Sequence, residues 1–151
     1  MKLLVLIHVL SAIIGVGPTF FAHVLLRKNQ TLDDLRSSMR AGKPLEFFPK
    51  IGGTIAVITG IVLLFVGSYG SFMQTWLIGS LVAYVLIQII AIGFATPAHK
   101  KLAKWVLDPA NTKASELPAE QRRNWMQARN YFYAASTIGV ILFIFMIMKP
   151  A

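Results

Sequence analysis

Four stretches of this chain contain no Asp, Glu, Lys or Arg: residues 3–26, 51–73, 76–96 and 131–148. A helix needs about 20 apolar residues to cross a hydrocarbon core of roughly 30 Å, and each stretch is close to that length. Backbone groups in lipid must be satisfied inside their own segment, so helices are predicted rather than strands. The expected fold is all-α. It is a polytopic membrane protein with four transmembrane helices in an antiparallel bundle, forming one domain over residues 1–151. Hydrophobic residues make up 56% and charged residues 14%. A soluble domain carries about 25% charged residues, so neither a soluble nor a disordered chain fits. The absence of cysteine removes disulfides, thiolate metal sites and a Cys nucleophile. The first stretch is too long for a secretory leader and no small-x-small cleavage site follows it, so it is expected to be a true span.

The placement of charge sets an expected orientation. Arg27, Lys28, Arg36, Arg40, Lys43 and Lys50 fall between the first two stretches. Lys100, Lys101, Lys104, Lys113, Arg122, Arg123 and Arg129 fall between the last two. Four spans put both loops, 27–50 and 97–130, on one side. The positive-inside rule makes that side cytoplasmic and places both termini outside. The net charge of +9 is then explained without nucleic acid, for which no base-reading motif is present. Basic clusters beside a membrane favour anionic lipid headgroups as partners.

The loops carry helix signals of their own. Thr31-Leu-Asp-Asp34 is a capping-box pattern, and Gly42 with Pro44 is expected to end that helix. Phe47 and Phe48 are expected at the membrane interface. Pro97 is expected to end or kink the third helix, with Lys100–Leu107 continuing along the surface. Pro118 suits a first helical turn, so the fourth helix is expected to run from about Pro118 to Met148. Ala22-His23-x-x-Leu26-x-Lys28 resembles Ala98-His99-x-x-Leu102-x-Lys104, and Thr54–Ile58 resembles Thr137–Ile141. Both matches lay the first hairpin on the second, as two hairpins related about the membrane normal would.

Small and polar residues mark the faces expected to meet. On the first helix they are His8, Ser11, Gly15, Pro18, Thr19 and Ala22, with His23 at the edge and a bend expected at Gly15–Pro18. Gly53, Gly60 and Gly67 repeat on the second, a stripe equally suited to the monomer core or to a homodimer. Tyr84, Gln88, Ala91, Ala95 and His99 share a face of the third. Ala128, Ala135, Gly139 and Met146 share one of the fourth. The four stripes are expected to converge in a compact bundle. Trp76, Trp105, Trp125, Tyr131 and Tyr133 read as interface aromatics.

With no charge in any span, the candidate chemistry is narrow. Proton-coupled transporters usually keep a buried carboxylate or a charged relay in the membrane, and no span here contains Asp, Glu, Lys or Arg. No P-loop, dinucleotide fingerprint or Ser-His-Asp set occurs. Three histidines remain. His8 lies inside the first span, where a buried imidazole needs a partner. Either a neighbouring helix supplies a polar group, or His8 is a ligand. Met73, Met146 and Met148 fall in the same depth zone, and His with Met suits Cu(I) or haem iron. His8 and His23 are about 22 Å apart along a helix and cannot share a small site. His23 and His99 end the first and third spans and could together hold haem b. The plainer reading gives both to lipid phosphates or loop carbonyls. Tyr84 and Gln88 are the mid-membrane candidates for a polar contact to a ligand, or for interhelical hydrogen bonds.

The opening Leu6-Ile-His8-Val-Leu-Ser-Ala-Ile-Ile-Gly15-Val-Gly17 resembles several small bacterial membrane families. One is an uncharacterised predicted integral membrane family of about this length. The copper-resistance D family and the HemJ-type protoporphyrinogen oxidases are the others. The resemblance to HemJ-type proteins implies a haem or porphyrin role for His8. That family's Pro-Arg and Tyr-His at the end of the first helix are replaced here by Gly17-Pro18-Thr19 and Ala22-His23, and its intramembrane lysine has no counterpart. Three functions follow as expectations. The first is haem, porphyrin or copper binding through His8. The others are a non-catalytic membrane scaffold or subunit, and a small-solute transporter.

Overall fold

Lys2–Leu25 forms helix α1, the first of four apolar helical segments in the computed structural model, which describes residues 1–150. Leu32–Leu45 is α2 and Phe47–Val66 is α3. Thr75–Gln88 is α4; it passes through a π-helical segment, Ile89–Ala95, into α5, Thr96–Val106. A 3₁₀ turn at Pro109–Asn111 precedes α6, Ala119–Met148. No strand occurs among the described residues. Four of these segments are long and apolar enough to cross a membrane. The side chain of Pro18, where a bend was expected, lies outside the described residues.

The ends of the helices show why each element starts where it does. Thr31 caps α2: its hydroxyl accepts from the Asp34 N–H while the Asp34 carboxylate accepts from the Thr31 N–H, both at 3.1 Å. Gly42 does not end α2. It is buried inside the helix, where a Cβ would lie 3.3 Å from the Leu25 side chain, so it lets α2 approach the end of α1. The break comes at Glu46, just after Pro44. Helix α3 stops at Val66, and a turn from Gly67 to Gln74 replaces the last part of the expected second span.

Pro97 neither ends nor breaks the third apolar helix. A proline inside a helix lacks the N–H that would reach four residues back, and its ring crowds that carbonyl, here Gly93. The preceding turns widen instead, and the Thr96 N–H bonds to Ala91, five residues back.

Helix packing divides the chain into two pairs. Helix α3 lies on α1, and α6 lies on α4, the π segment and α5. The pairs meet along α1–α6 and α2–α5. This is a row of paired helices, not the closed convergence of four stripes that the small residues suggested. The α1–α3 crossing is made by Gly15 and Gly52: a Cβ on Gly52 would lie 2.6 Å from the Gly15 Cα. Of the expected Gly53–Gly60–Gly67 stripe, only Gly60 faces another helix. Gly53 borders open space, and Gly67 adjoins the ring of Tyr69 in the turn. On the other side, Gly79 admits the ring of Phe145.

The best-buried core sits in the parts that read as polar loops. Leu26, Leu35, Met39, Ala98, Leu102, Val106 and Ala128 form it, with Trp105, Trp125 and Phe132 packed around them. The Trp125 indole donates to the Leu26 carbonyl at 3.0 Å, satisfying one of the orphan carbonyls at the end of α1. Trp105 and Trp125 are thus part of a packed end-module, and Trp76 is buried at the opposite end beside Tyr69.

Candidate functional site

His8 projects from α1 toward α3. Its Nδ1 lies 2.8 Å from the Ala56 carbonyl oxygen and 3.2 Å from the Thr59 hydroxyl. Residues 56, 59 and 60 share one face of α3 because they are three and four apart. Gly60 makes room for the ring: a Cβ there would stand 3.0 Å from His8 Cε1.

These contacts fix the tautomer. A backbone carbonyl only accepts, so Nδ1 must carry the proton. The Thr59 hydroxyl donates to the Ile55 carbonyl at 2.7 Å, leaving its lone pairs free to accept from the same N–H. The neutral imidazole therefore keeps its basic lone pair on Nε2. Nε2 makes no hydrogen bond with any described residue. An imidazole whose Nδ1–H is held by a carbonyl, with Nε2 left open, is the arrangement found behind metal-ligating histidines. The partners of His8, Ala56 and Thr59, carried no signal in the sequence. The pairing becomes visible only once α3 is laid on α1.

The other candidate residues lie elsewhere. Met73 is in the exposed turn before α4, and Met146 is on α6, whereas the hydrogen-bond partners of His8 are on α3. Among the described residues no three His, Asp or Glu gather as a metal site. The His23 Nε2 pairs with the Ser136 hydroxyl at 2.8 Å, and its ring stacks on Tyr133 with centroids 4.2 Å apart. Its Nδ1 is buried without a partner. His99 on α5 meets the edge of Phe132. Phe132 and Tyr133 are successive residues, about 100° apart around α6. His23 and His99 thus address different sides of α6. Tyr84 and Gln88 are half-buried on α4 and belong to the other helix pair from His8.

These features define an all-helical integral membrane protein with four apolar segments of spanning length. Over residues 2–150 the chain matches the family described as predicted integral membrane protein (DUF2269), and it belongs to that family. No curated protein and no solved structure matches it.

Proposed function

We propose that this protein binds haem in the bacterial inner membrane, with His8 Nε2 as the axial ligand. One observation carries the reading: Nδ1–H is held by the Ala56 carbonyl and Thr59, so the ring is locked in the tautomer that offers Nε2 to iron. Such a partner also raises ligand basicity. Cu(I) is the alternative metal for the same nitrogen, because imidazole suits copper as well as iron. His23 supports the reading less well, because Ser136 holds its Nε2.

In this reading both termini face outward. The basic end built by α2, α5 and the first turns of α6 faces the cytoplasm, against anionic headgroups. A scaffold without a cofactor would use the same hydrogen bonds only to tie α1 to α3. Transport finds less support, since the spans hold no ionisable relay beyond histidine.

The test is the visible absorption spectrum of detergent-purified protein with and without added haem. A Soret band present in the wild type and lost in His8→Ala is expected. No band at all, or a band that survives His8→Ala and disappears in His23→Ala, overturns the assignment to His8. A Cu(I) titration of the same two proteins separates the copper alternative from the scaffold.

A further inference from the structure

Helix α6 has two distinct sides over its first turns. Asn124, Ala128 and Ala135 are buried against the rest of the chain. Arg122, Arg123, Met126, Gln127 and Asn130 are exposed, and at 3.6 residues per turn they gather on the opposite side of the helix. With Leu117, just before the helix, they line an open groove of about 640 Å³. Neither arginine makes an ion pair with a described residue, and no Asp or Glu lines the groove. Glu120 turns instead to a neighbouring groove, beside Lys101 and Lys104. Two guanidiniums and two neutral amides thus share a concave surface with no negative charge to answer them.

The groove opens onto lipid. Asn130 directly precedes the charge-free stretch 131–148, so it stands at the edge of the hydrocarbon. The polar headgroup region extends about 5–7 Å beyond the core on each side. Gln127 and Asn130 fall within it, and Arg123, one turn before Gln127, borders it. The exposed side of α6 continues down the span as Tyr133, Val140, Ile141 and Ile144, 49%, 47%, 43% and 51% exposed. A ligand with its anionic head in the groove therefore finds bare apolar surface along the same side of the same helix.

We infer that this groove seats the headgroup of one anionic phospholipid. Arg122 and Arg123 bond the phosphodiester in charge-assisted hydrogen bonds, Gln127 and Asn130 meet the glycerol and ester oxygens, and the acyl chains run over Tyr133, Val140 and Ile144. A lipid is favoured over a free phosphate by the apolar track that leaves the groove. An anionic lipid is favoured over a zwitterionic one because no carboxylate lines the groove to meet a choline or ethanolamine ammonium. Basic pockets at the polar ends of transmembrane helices hold lipid headgroups in this way. This seat makes specific the contact between the basic end and anionic headgroups proposed above, on which it rests; haem at His8 plays no part in it.

Native mass spectrometry of the detergent-purified chain, titrated with phosphatidylglycerol or phosphatidylcholine, tests the site. One phosphatidylglycerol per chain is expected to remain bound, and phosphatidylcholine to bind much more weakly. Arg122→Gln with Arg123→Gln should weaken phosphatidylglycerol binding about tenfold, the effect of losing one hydrogen bond to a charged group. Lys100→Gln with Lys101→Gln removes the same charge from the same end of the bundle and should leave binding nearly unchanged. Met126→Glu keeps both arginines, sets a carboxylate in the groove, and should also expel the lipid. All five positions are exposed, and a thermal melt of each variant checks that it folds. Equal losses in the two double variants would overturn the site and leave only a diffuse attraction of the basic end. Equal binding of the two lipids would overturn the site and the anionic reading of that end together. Full displacement of the lipid by inorganic phosphate would give the groove to a soluble anion instead.

Discussion

The backbone of Gly15 stands 2.6 Å from where a Cβ on Gly52 would be built. No side chain fits at this crossing of α1 and α3, and the same crossing brings His8 to Ala56 seven residues away. Gly52→Val is therefore expected to force the helices apart, at a cost of about 1–3 kcal/mol from overpacking. Gly53→Ala, next in sequence but facing open space, should be close to neutral. Thermal unfolding in detergent distinguishes the two. A Gly52→Val variant as stable as the wild type would mean that the crossing is not the tight contact described.

Arg36 ties α2 to the segment between α5 and α6. Its guanidinium donates to Asp33 at 2.6 Å and to the carbonyls of Asn111 and Ala114 at 2.8 and 3.2 Å. The side chain is only 13% exposed, so the two bonds to the carbonyls are partly sheltered, whereas Asp33 stands in the open. A lysine has one nitrogen and cannot reproduce the fork. Arg36→Lys should cost about 1.5–3 kcal/mol, the range for hydrogen bonds to charged groups. It should also speed protease cleavage between residues 107 and 118, while α1–α3 contacts stay intact. Unchanged cleavage would show that the segment is held by Trp105 and Leu117 packing alone.

The apolar helices were legible because a charge-free stretch of twenty residues has few alternatives. The Thr31–Asp34 cap was legible because its two hydrogen bonds need only local geometry. The core around Leu26, Leu35 and Leu102 was harder to see. Leu32, Leu35, Met39 and Gly42 recur at helical spacing, as do Ala98, Leu102 and Val106, yet the lysines and arginines between them dominate any count of charge. The seven-residue repeat points to Gly53, whereas its neighbour Gly52 is the one that meets Gly15. The angle at which α1 and α3 cross decides between them, and that angle depends on both helices. For the same reason His8 was visible as a candidate while Ala56 and Thr59 were not. The π segment before Pro97 was hidden because a proline in a helix can be absorbed in several ways.

The cap of α2 carries a pH dependence. The Thr31 hydrogen bonds, first through its side chain and then its backbone, hold the Asp34 carboxyl below its ordinary value. A carboxylate with a lowered folded pKa stabilises the fold above its unfolded value, about 3.9 for Asp. That contribution is lost as pH falls through the lower folded value. Amide exchange over residues 32–38, corrected for intrinsic rates, should be constant from neutral pH down to about 5 and accelerate only below the ordinary Asp range. Asp34→Asn should remove this step, and the effect should be small because Asp34 is fully exposed. A step that persists in Asp34→Asn would assign it to another carboxylate.

Thr59 offers the finest test of the site. It shares the His8 Nδ1–H with Ala56 and sits 3.2 Å away, against 2.8 Å for the carbonyl. Thr59→Val removes one acceptor, keeps the shape, and leaves the Ala56 carbonyl to hold the tautomer. If His8 ligates haem, the Soret band should remain in Thr59→Val while haem affinity falls about tenfold, the lower end of the effect of losing an outer-shell partner. Stability should change little, since an interhelical hydrogen bond in a membrane averages about 0.6 kcal/mol. A haem titration and a thermal melt on the same preparation separate the two roles. Affinity loss without destabilisation supports a ligand whose orientation Thr59 helps to fix. Destabilisation with unchanged haem affinity, or with no haem binding in either protein, would leave the His8–Thr59 contact as a tie between α1 and α3.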